Sequence, residues 1–500
     1  MRAYEDVLYD DYPFVLAHPA RLRAIGQILG LPPTRRPQRV LDLGCGLGGH
    51  LIALAAHDPD GAYVGIDLSP AQIDAGQATI DTLGLDNVTL LAADLLDLPT
   101  DLGRFDIITC HGVYSWIPEP VRQRIWQICR AHLAPNGVAY VSANMKPGWV
   151  SRGALREILL QTLPESGTAA ERVAAARQTL EHLRTTLSSR PSGSIVSLLE
   201  DVLDLSGRSD AYLLYEYLAE INEPFWFKDL HAAATEQGLS YVGDALFSSH
   251  FNAIPEATEA WIDSEFSGPV GREQAQDLVT HRMFRRSLWT HREATLDLEL
   301  HWRRLQGLLL SCSYTADPNE PGRWRGPGDT HVRAEDAATA GLIGLLCGRA
   351  PQAMLFEDVL DELHSESVSK AAIGKAALHL FCHGVVEAWS RLPDIHTVVC
   401  DHPAASPLAR LQAARGDSGA VNLRHERYLL KHTDRAVLQH LDGQHSHAQL
   451  ASSLQSDALA ERVEIRIDDV LRTDLPACEA AVSMVLDRMR LGAFLTKTGS

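Results

Sequence analysis

The 500-residue sequence has no pair of cysteines at C-x-x-C spacing. Its eight cysteines are scattered and stand mostly among apolar residues. That excludes a zinc ribbon, a dithiol redox motif and a disulfide framework. Histidine is plentiful, yet none falls at H-E-x-x-H spacing, and His445-Ser-His447 alone reads as solvated surface, so no metal site is expected. A basic stripe is also missing. With a net charge of −19 and no lysine-rich block, a large nucleic-acid footprint is excluded. The short cluster Arg282-Met-Phe-Arg-Arg286 lies among helical residues and reads as a solvated helix face. No apolar run can span a bilayer, since the longest, Ala340–Cys347, is too short, and the N-terminus lacks the apolar core of a signal peptide. A cytoplasmic protein with no membrane insertion is expected. Its length suggests two to four domains.

The chain is organised around residues 38–49, Gln-Arg-Val-Leu-Asp-Leu-Gly-Cys-Gly-Leu-Gly-Gly. Val40, Leu41 and Leu43 read as a buried strand, the glycines as a turn bare of side chains, and Leu47–Ala56 as a helix aimed at the same place. Gly44, Gly46 and Gly49 satisfy G-x-G-x-x-G, a weak signal alone. Asp42 decides between ligands. A carboxylate beside this turn repels a pyrophosphate and favours S-adenosyl-L-methionine (AdoMet), which carries an ammonium and a sulfonium. The strand 62–67 ends in Asp67, placed to take two ribose hydroxyls, with Leu68 beside it. A third strand, Val88–Ala92, leads to Asp94-Leu95, a carboxylate and an apolar neighbour for the adenine amine and ring face. Cys45 sits inside the turn. The plain alternative is an ordinary strand-turn-helix in which Asp42 caps a backbone group.

Strands 105–111 and 137–143 with helices 70–83 and 119–133 continue a β-α-β alternation, hence a parallel sheet with helices on both faces. An aromatic, acidic segment (Tyr4, Tyr9, Tyr12, Phe14) precedes His18-Pro19 and a helix over 20–30. It reads equally as a lid over the ligand or as packing against outer helices. Helical spacing fills 151–220, with a break at 188–193, and a strand at 239–248 reads as completing the sheet. The helices between them are then an insertion, either a roof or a dimer interface. Residues 251–310 read as helical, and the proline- and glycine-rich 314–334 as a linker or surface loop. Beyond it, two stretches repeat the order helix, glycine turn, helix, helix, apolar strand, that of a small winged-helix unit. Their third helices carry few cations, which favours protein packing over DNA binding.

The expected fold class is thus α/β: a Rossmann-like core with a helical insertion, then mainly helical middle and winged-helix-like C-terminal domains. The expected boundaries are 1–150 for the core with its lid, 151–220 for the insertion and 221–313 for completion of the core and the middle domain. Winged-helix-like units are expected at 335–400 and 415–500.

Residues after the fourth and fifth strands would face a transferable methyl group. There stand Cys110-His-Gly-Val-Tyr-Ser-Trp-Ile-Pro118 and Val141-Ser-Ala-Asn-Met-Lys-Pro-Gly-Trp149. Tyr114, Trp116 and Trp149 are candidates for an aromatic channel around an alkyl-ammonium group. Burial there would favour the neutral, nucleophilic amine, with His111, Tyr114 and Asn144 orienting it. Each aromatic is equally a loop anchor.

These residues also carry a resemblance. The loops His111–Pro118 and Asn144–Trp149, the segment Tyr217-Leu-Ala-Glu-Ile-Asn-Glu-Pro224, and the stretches Pro403–Arg410 and Asn422–Glu426 resemble a bacterial family. In it, a class I methyltransferase is joined to a methyltransferase regulatory domain, and its described members include protein lysine methyltransferases acting on outer-membrane proteins. The resemblance implies AdoMet as methyl donor, a regulatory middle domain, a C-terminal winged helix and a homodimer. It implies cofactor contacts from Tyr12 and His18, and from His111 besides its place beside the methyl. The chain departs from the family pattern at Leu16-Ala17, where Gln-Thr is usual, and at Met145-Lys146, where Thr-aromatic is usual. Lys146 would suit a more acidic or smaller acceptor at least as well as a lysine. The expected function is therefore N-methylation of protein lysine. The alternatives are methylation of a small molecule or peptide natural product, and an AdoMet-sensing scaffold without catalysis.

Overall fold

The computed structural model describes residues 12–497 apart from 35, 37, 99, 100, 165, 190–193, 253, 468 and 469. Helix α1 (Pro19–Ile28) leads into β1 (Arg39–Leu43), α2 (Gly49–His57), β2 (Ala62–Asp67), α3 (Pro70–Leu83), β3 (Val88–Ala92), β4 (Phe105–Cys110), α4 (Glu119–His132) and β5 (Leu133–Asn144). Strand β4 is buried at every position from Phe105 to Cys110, Asp106 and Thr109 included, the mark of a parallel sheet covered by helices. Ser69 caps α3 with Pro70 at its first position, and Gly84 ends it in the left-handed conformation.

Four helices follow: α5 (Gly148–Gln161), α6 (Ala169–Ser188), α7 (Ser194–Ser206) and α8 (Asp210–Glu216). They enclose an apolar core of their own around Leu155, Leu159, Val173, Leu180 and Leu213. Residues 190–193, part of the break expected from sequence, lie outside the described residues. Then come α9 (Phe227–Glu236), β6 (Leu239–Asp244), α10 (Glu256–Glu265), α11 (Gly268–Val279) and β7 (Phe284–His291).

The sheet runs β3-β2-β1-β4-β5-β7-β6, with β1–β5 parallel and β7 antiparallel to both neighbours. The helical reading of 282–291 is therefore corrected. The cluster Arg282–Arg286 opens the seventh strand instead of forming a solvated helix face. Arg285 is fully buried and donates through Nε and Nη2 to the Asp277 carboxylate of α11, at 2.8–3.0 Å. Its guanidinium also lies 4.2 Å from the Phe227 ring. Helical spacing misled because the charge that neutralises Arg285 comes from another element.

The stretch 314–334 is also corrected: it holds a three-stranded antiparallel sheet instead of a plain linker. After β8 (Leu309–Ser311) come β9 (Thr315–Ala316), β10 (Arg323–Arg325) and β11 (His331–Arg333), with β10 central. Helix α12 (Ala337–Arg349), β12 (Met354–Leu355), α13 (Phe356–Leu363), α14 (Lys370–Cys382) and β13 (Glu387–Trp389) follow. Strand β8 pairs with β12 and β13, so the small sheet of this unit takes its middle strand from before residue 335. The C-terminal part comprises β14 (Ala404–Ala405), α15 (Pro407–Arg415), β15 (Gly419–Val421), β16 (Arg427–Leu429), α16 (His432–Leu438), α17 (His447–Leu459), β17 (Arg466–Ile467), β18 (Val470–Leu471), α18 (Leu475–Leu491) and β19 (Leu495–Thr496). No helix among the described residues is long and apolar enough to cross a membrane.

Candidate active site

The turn after β1 places Gly44, Gly46 and Gly48 at φ +77°, +57° and +77°, a region that favours glycine. A side chain at Gly44 would collide with Val113, and one at Gly48 with Leu90. Gly49 is the first residue of α2. The third left-handed glycine of the turn is thus Gly48, legible in sequence as the alternation Gly44-x-Gly46-x-Gly48. The amides of Gly44 and Cys45 donate to the Ile66 carbonyl at 2.8 and 3.0 Å, that of Gly48 to Cys45 and that of Gly46 to Asp67 Oδ2, both at 2.9 Å. Committed amides and two carboxylates make a poor cradle for pyrophosphate.

The same features fit a cationic amino-acid ligand. Asp42 is only 7 % exposed, and its Oδ1 accepts a 2.7 Å hydrogen bond from the Thr109 hydroxyl. Burial pushes its carboxyl up to about 7; the Thr109 bond opposes this, and the Asp67 charge adds to it. An ammonium group seated beside it would restore the carboxylate. Asp67 is fixed by the amides of Gly46 and Ser69, each at 2.9 Å, and both oxygens keep acceptor capacity for two ribose hydroxyls. Leu68 beside it is 56 % exposed. Asp94 accepts from the Leu96 amide at 2.9 Å, capping a short turn whose first residue, Leu95, is buried. Cys45 is buried within the turn.

Across the mouth of the sheet, His111 Nδ1 stands 2.7 Å from the Tyr140 hydroxyl. The Phe14 ring covers His111 with centroids 3.6 Å apart, and Phe284 meets it edge-on at 5.9 Å. Burial, with Arg286 and His50 as smaller causes, lowers His111 to about 3, so the imidazole is neutral. Phe284 and Arg286 reach this end of the sheet because β7 runs antiparallel and pairs Phe284 with Asn144.

Tyr114 does not line the surface. It is 4 % exposed, accepts from Trp126 Nε1 at 2.9 Å and packs against Phe225. Burial raises its hydroxyl to about 12, so it anchors the loop. The Trp116 and Trp149 rings meet edge-on at 6.3 Å. Trp149 Nε1 donates to Asn222 Oδ1 at 2.9 Å, and Asn144 Nδ2 reaches the same oxygen at 3.5 Å. Ser115 Oγ accepts from the Asn144 amide, and the Glu223 amide donates to the Ser115 carbonyl, each at 2.9 Å. The loops after β4 and β5 are thus stitched together through residues 222–225. Asn222 was missed as a site residue; its signal was the family-like segment Tyr217–Pro224. Lys146 is half-buried, and its amide donates to the Phe225 carbonyl at 2.8 Å.

The N-terminal segment crosses this mouth. Tyr4 and Tyr9 lie outside the described residues. The Tyr12 ring lies under the Arg427 guanidinium at 3.5 Å, and Phe14 rests on His111. His18 accepts from the Ala20 amide to cap α1, and its ring packs against Trp389 and His425. It therefore belongs to the wall that carries the segment. Among the described residues no group of three or more potential ligands could hold a metal ion.

Comparison with known proteins identifies the domains of the chain. Residues 40–137 match a methyltransferase domain, 209–291 a predicted methyltransferase regulatory domain and 401–494 a PKMT C-terminal winged helix domain. An uncharacterized protein of Rickettsia prowazekii (strain Madrid E) is 31 % identical over 301 residues, covering 60 % of this chain and 54 % of that protein. A second is 35 % identical over 226 residues, covering 45 % of this chain and 90 % of that protein. The chain thus spans about half the length of the first relative. The solved structure of PKMT2 from Rickettsia typhi, also solved in complex with AdoHcy, superposes with a TM-score of 0.85. It shares 24 % identity, covering 97 % of this chain and all of that one. The chain belongs to the family that joins a class I methyltransferase domain to a methyltransferase regulatory domain and a PKMT-type C-terminal winged helix.

Proposed function

We propose that this protein is an AdoMet-dependent N-methyltransferase acting on lysine side chains of a protein substrate. The observation that carries the reading is the corner formed by Trp116, Trp149, Asn144 and Asn222, where the loops after β4 and β5 meet beside neutral His111. When bound, AdoMet supplies an electrophilic methyl. Asp42 would hold its ammonium, Asp67 its ribose, and Asp94 with Leu95 its adenine.

The protein's own part is to strip water from the acceptor amine and aim it. A free lysine amine titrates near 10.4, about three units above neutrality. Desolvation against the Trp116 ring lowers that value. Trp149 is buried, oriented by Asn222 and faced by the Arg152 guanidinium at 5.9 Å, which leaves the half-buried Trp116 ring for the acceptor stem. The Asn144 and Asn222 amides, held by their own bonds, present fixed dipoles to the nitrogen. Such positioning acts mainly through proximity.

The family description of residues 401–494 and the likeness to a PKMT fold support a protein acceptor. A surface or outer-membrane protein met in the cytoplasm before export is our reading of that substrate. Exposed Val150, Val196 and Leu203 on the inserted helices support a homodimer. Incubation with labelled AdoMet and cell-envelope protein should place label on lysine by peptide mass spectrometry. Label confined to the low-molecular-weight fraction would overturn the protein-lysine reading.

A further inference from the structure

The loop 422–427 of the C-terminal domain is built around one side chain. Asn422 Oδ1 accepts from the Arg424 and Glu426 amides at 2.9 Å each, and its Nδ2 donates to the Gly492 carbonyl at 2.9 Å. The His425 amide donates to the Asn422 carbonyl at 3.0 Å. This turn holds His425 at φ +64°, a left-handed conformation that a non-glycine residue adopts only where its surroundings enforce it. The imidazole it presents is 2 % exposed and ends 2.8 Å from His50 Nδ1, in the first turn of α2. That nitrogen also accepts from the Phe14 amide at 3.4 Å. Accepting both bonds requires His50 to carry its proton on Nε2 and His425 to donate from Nε2.

Two residues further on, Arg427 covers the Tyr12 ring. The base of the loop is fixed from the other side, where Arg424 and Arg21 both pair with Glu387 of β13. A strained turn some 375 positions from His50 thus touches both the helix leaving the glycine turn and the segment lying over His111.

We propose that His425 and Arg427 are positioning residues of the methyl-transfer site, holding segment 12–18 and the first turn of α2 closed over bound AdoMet. Donor affinity is then set from the C-terminal domain. This rests on the reading of the site as an AdoMet site. The winged helix acts as the latch of that site, with the imidazole on the helix and the guanidinium on the strap.

The full-length chain tests this by calorimetry with S-adenosylhomocysteine and by hydrogen–deuterium exchange of residues 12–18 and 49–57. Arg427→Ala removes an exposed cation over an aromatic face and should weaken binding roughly twofold to fivefold. His425→Ala should weaken it at least as much. Both should speed exchange in the two segments and raise the KM for AdoMet while leaving that for the acceptor in place. Arg427→Lys, which keeps a cation over Tyr12, should restore most of the loss. Arg488→Ala breaks a pair with Asp434 inside the same domain and is the control. It should lower the melting temperature without moving affinity or exchange. Affinity and exchange unchanged in Arg427→Ala, whose arginine is exposed and whose folding is not at issue, would overturn the proposal. So would an equal loss in Arg488→Ala, which would make the effect one of stability. If the wild-type chain takes up no S-adenosylhomocysteine, it is the AdoMet reading that fails.

Discussion

Two ends of one sheet bury charge in opposite ways. At the β1–β2 mouth, Asp42 is buried against the Thr109 hydroxyl and is driven toward protonation. At the antiparallel edge, Asp277 and Arg285 are buried together. Arg282 adds a second cation at 2.9 Å, and Glu273 with His250 completes the network. A buried charge matched within the fold is structure, whereas one left without a counter-charge is a place where a ligand's charge belongs.

The contrast can be broken most severely at the edge. Arg285→Ala takes the bidentate guanidinium from buried Asp277 and leaves it with Arg282, and unfolding measurements should show a loss of about 3–5 kcal/mol. Asp42→Asn should do the reverse. It should stabilise the free protein near pH 8 by about 1–3 kcal/mol, because a buried carboxylate gives way to an amide that still accepts from Thr109. It should weaken AdoMet binding by about 2–5 kcal/mol, read by calorimetry.

The same carboxyl sets a pH dependence. Its value in the free protein is about 7 and ionisation is needed to hold an ammonium. Affinity should therefore fall as pH drops below 7, by up to about tenfold per unit, with a proton released on binding. Affinity flat from pH 5 to 8 would remove Asp42 from the site. Asn222→Ala should raise the acceptor KM roughly tenfold through loss of a buried hydrogen bond to Trp149, with AdoMet affinity unchanged. The smallest effect is expected at Lys146. Lys146→Phe should improve kcat/KM for a cationic acceptor about twofold to fivefold, the range of one exposed charge contact.

What could be read from the sequence follows the same line. The parallel strands were legible because burial on both faces leaves mostly apolar runs, and Asp42, Asp67 and Asp94 because acidic residues recur at or near their ends. Strand β7 was hidden by Arg285 and Arg286, charges whose burial makes sense only once Asp277 and its neighbours are in place. The sheet β9–β11 was hidden because strands of two or three residues carry no period. Gly48 could have been read in place of Gly49. Phe14 was legible only as one aromatic of a lid, and Asn222 and His425 only as members of family-like segments, because contacts over 36 to 375 positions bring them to the site.

Strand β5 is the last parallel strand, and its free side is covered only by β7, whose residues lie some 140 positions later. A nascent chain that has left the ribosome only as far as α11 therefore displays a bare ladder of amides and carbonyls from Ala139 to Ala143. Such an edge invites pairing with another chain. The methyltransferase domain cut out at residue 150 should for this reason aggregate where a fragment ending after His291 stays in solution.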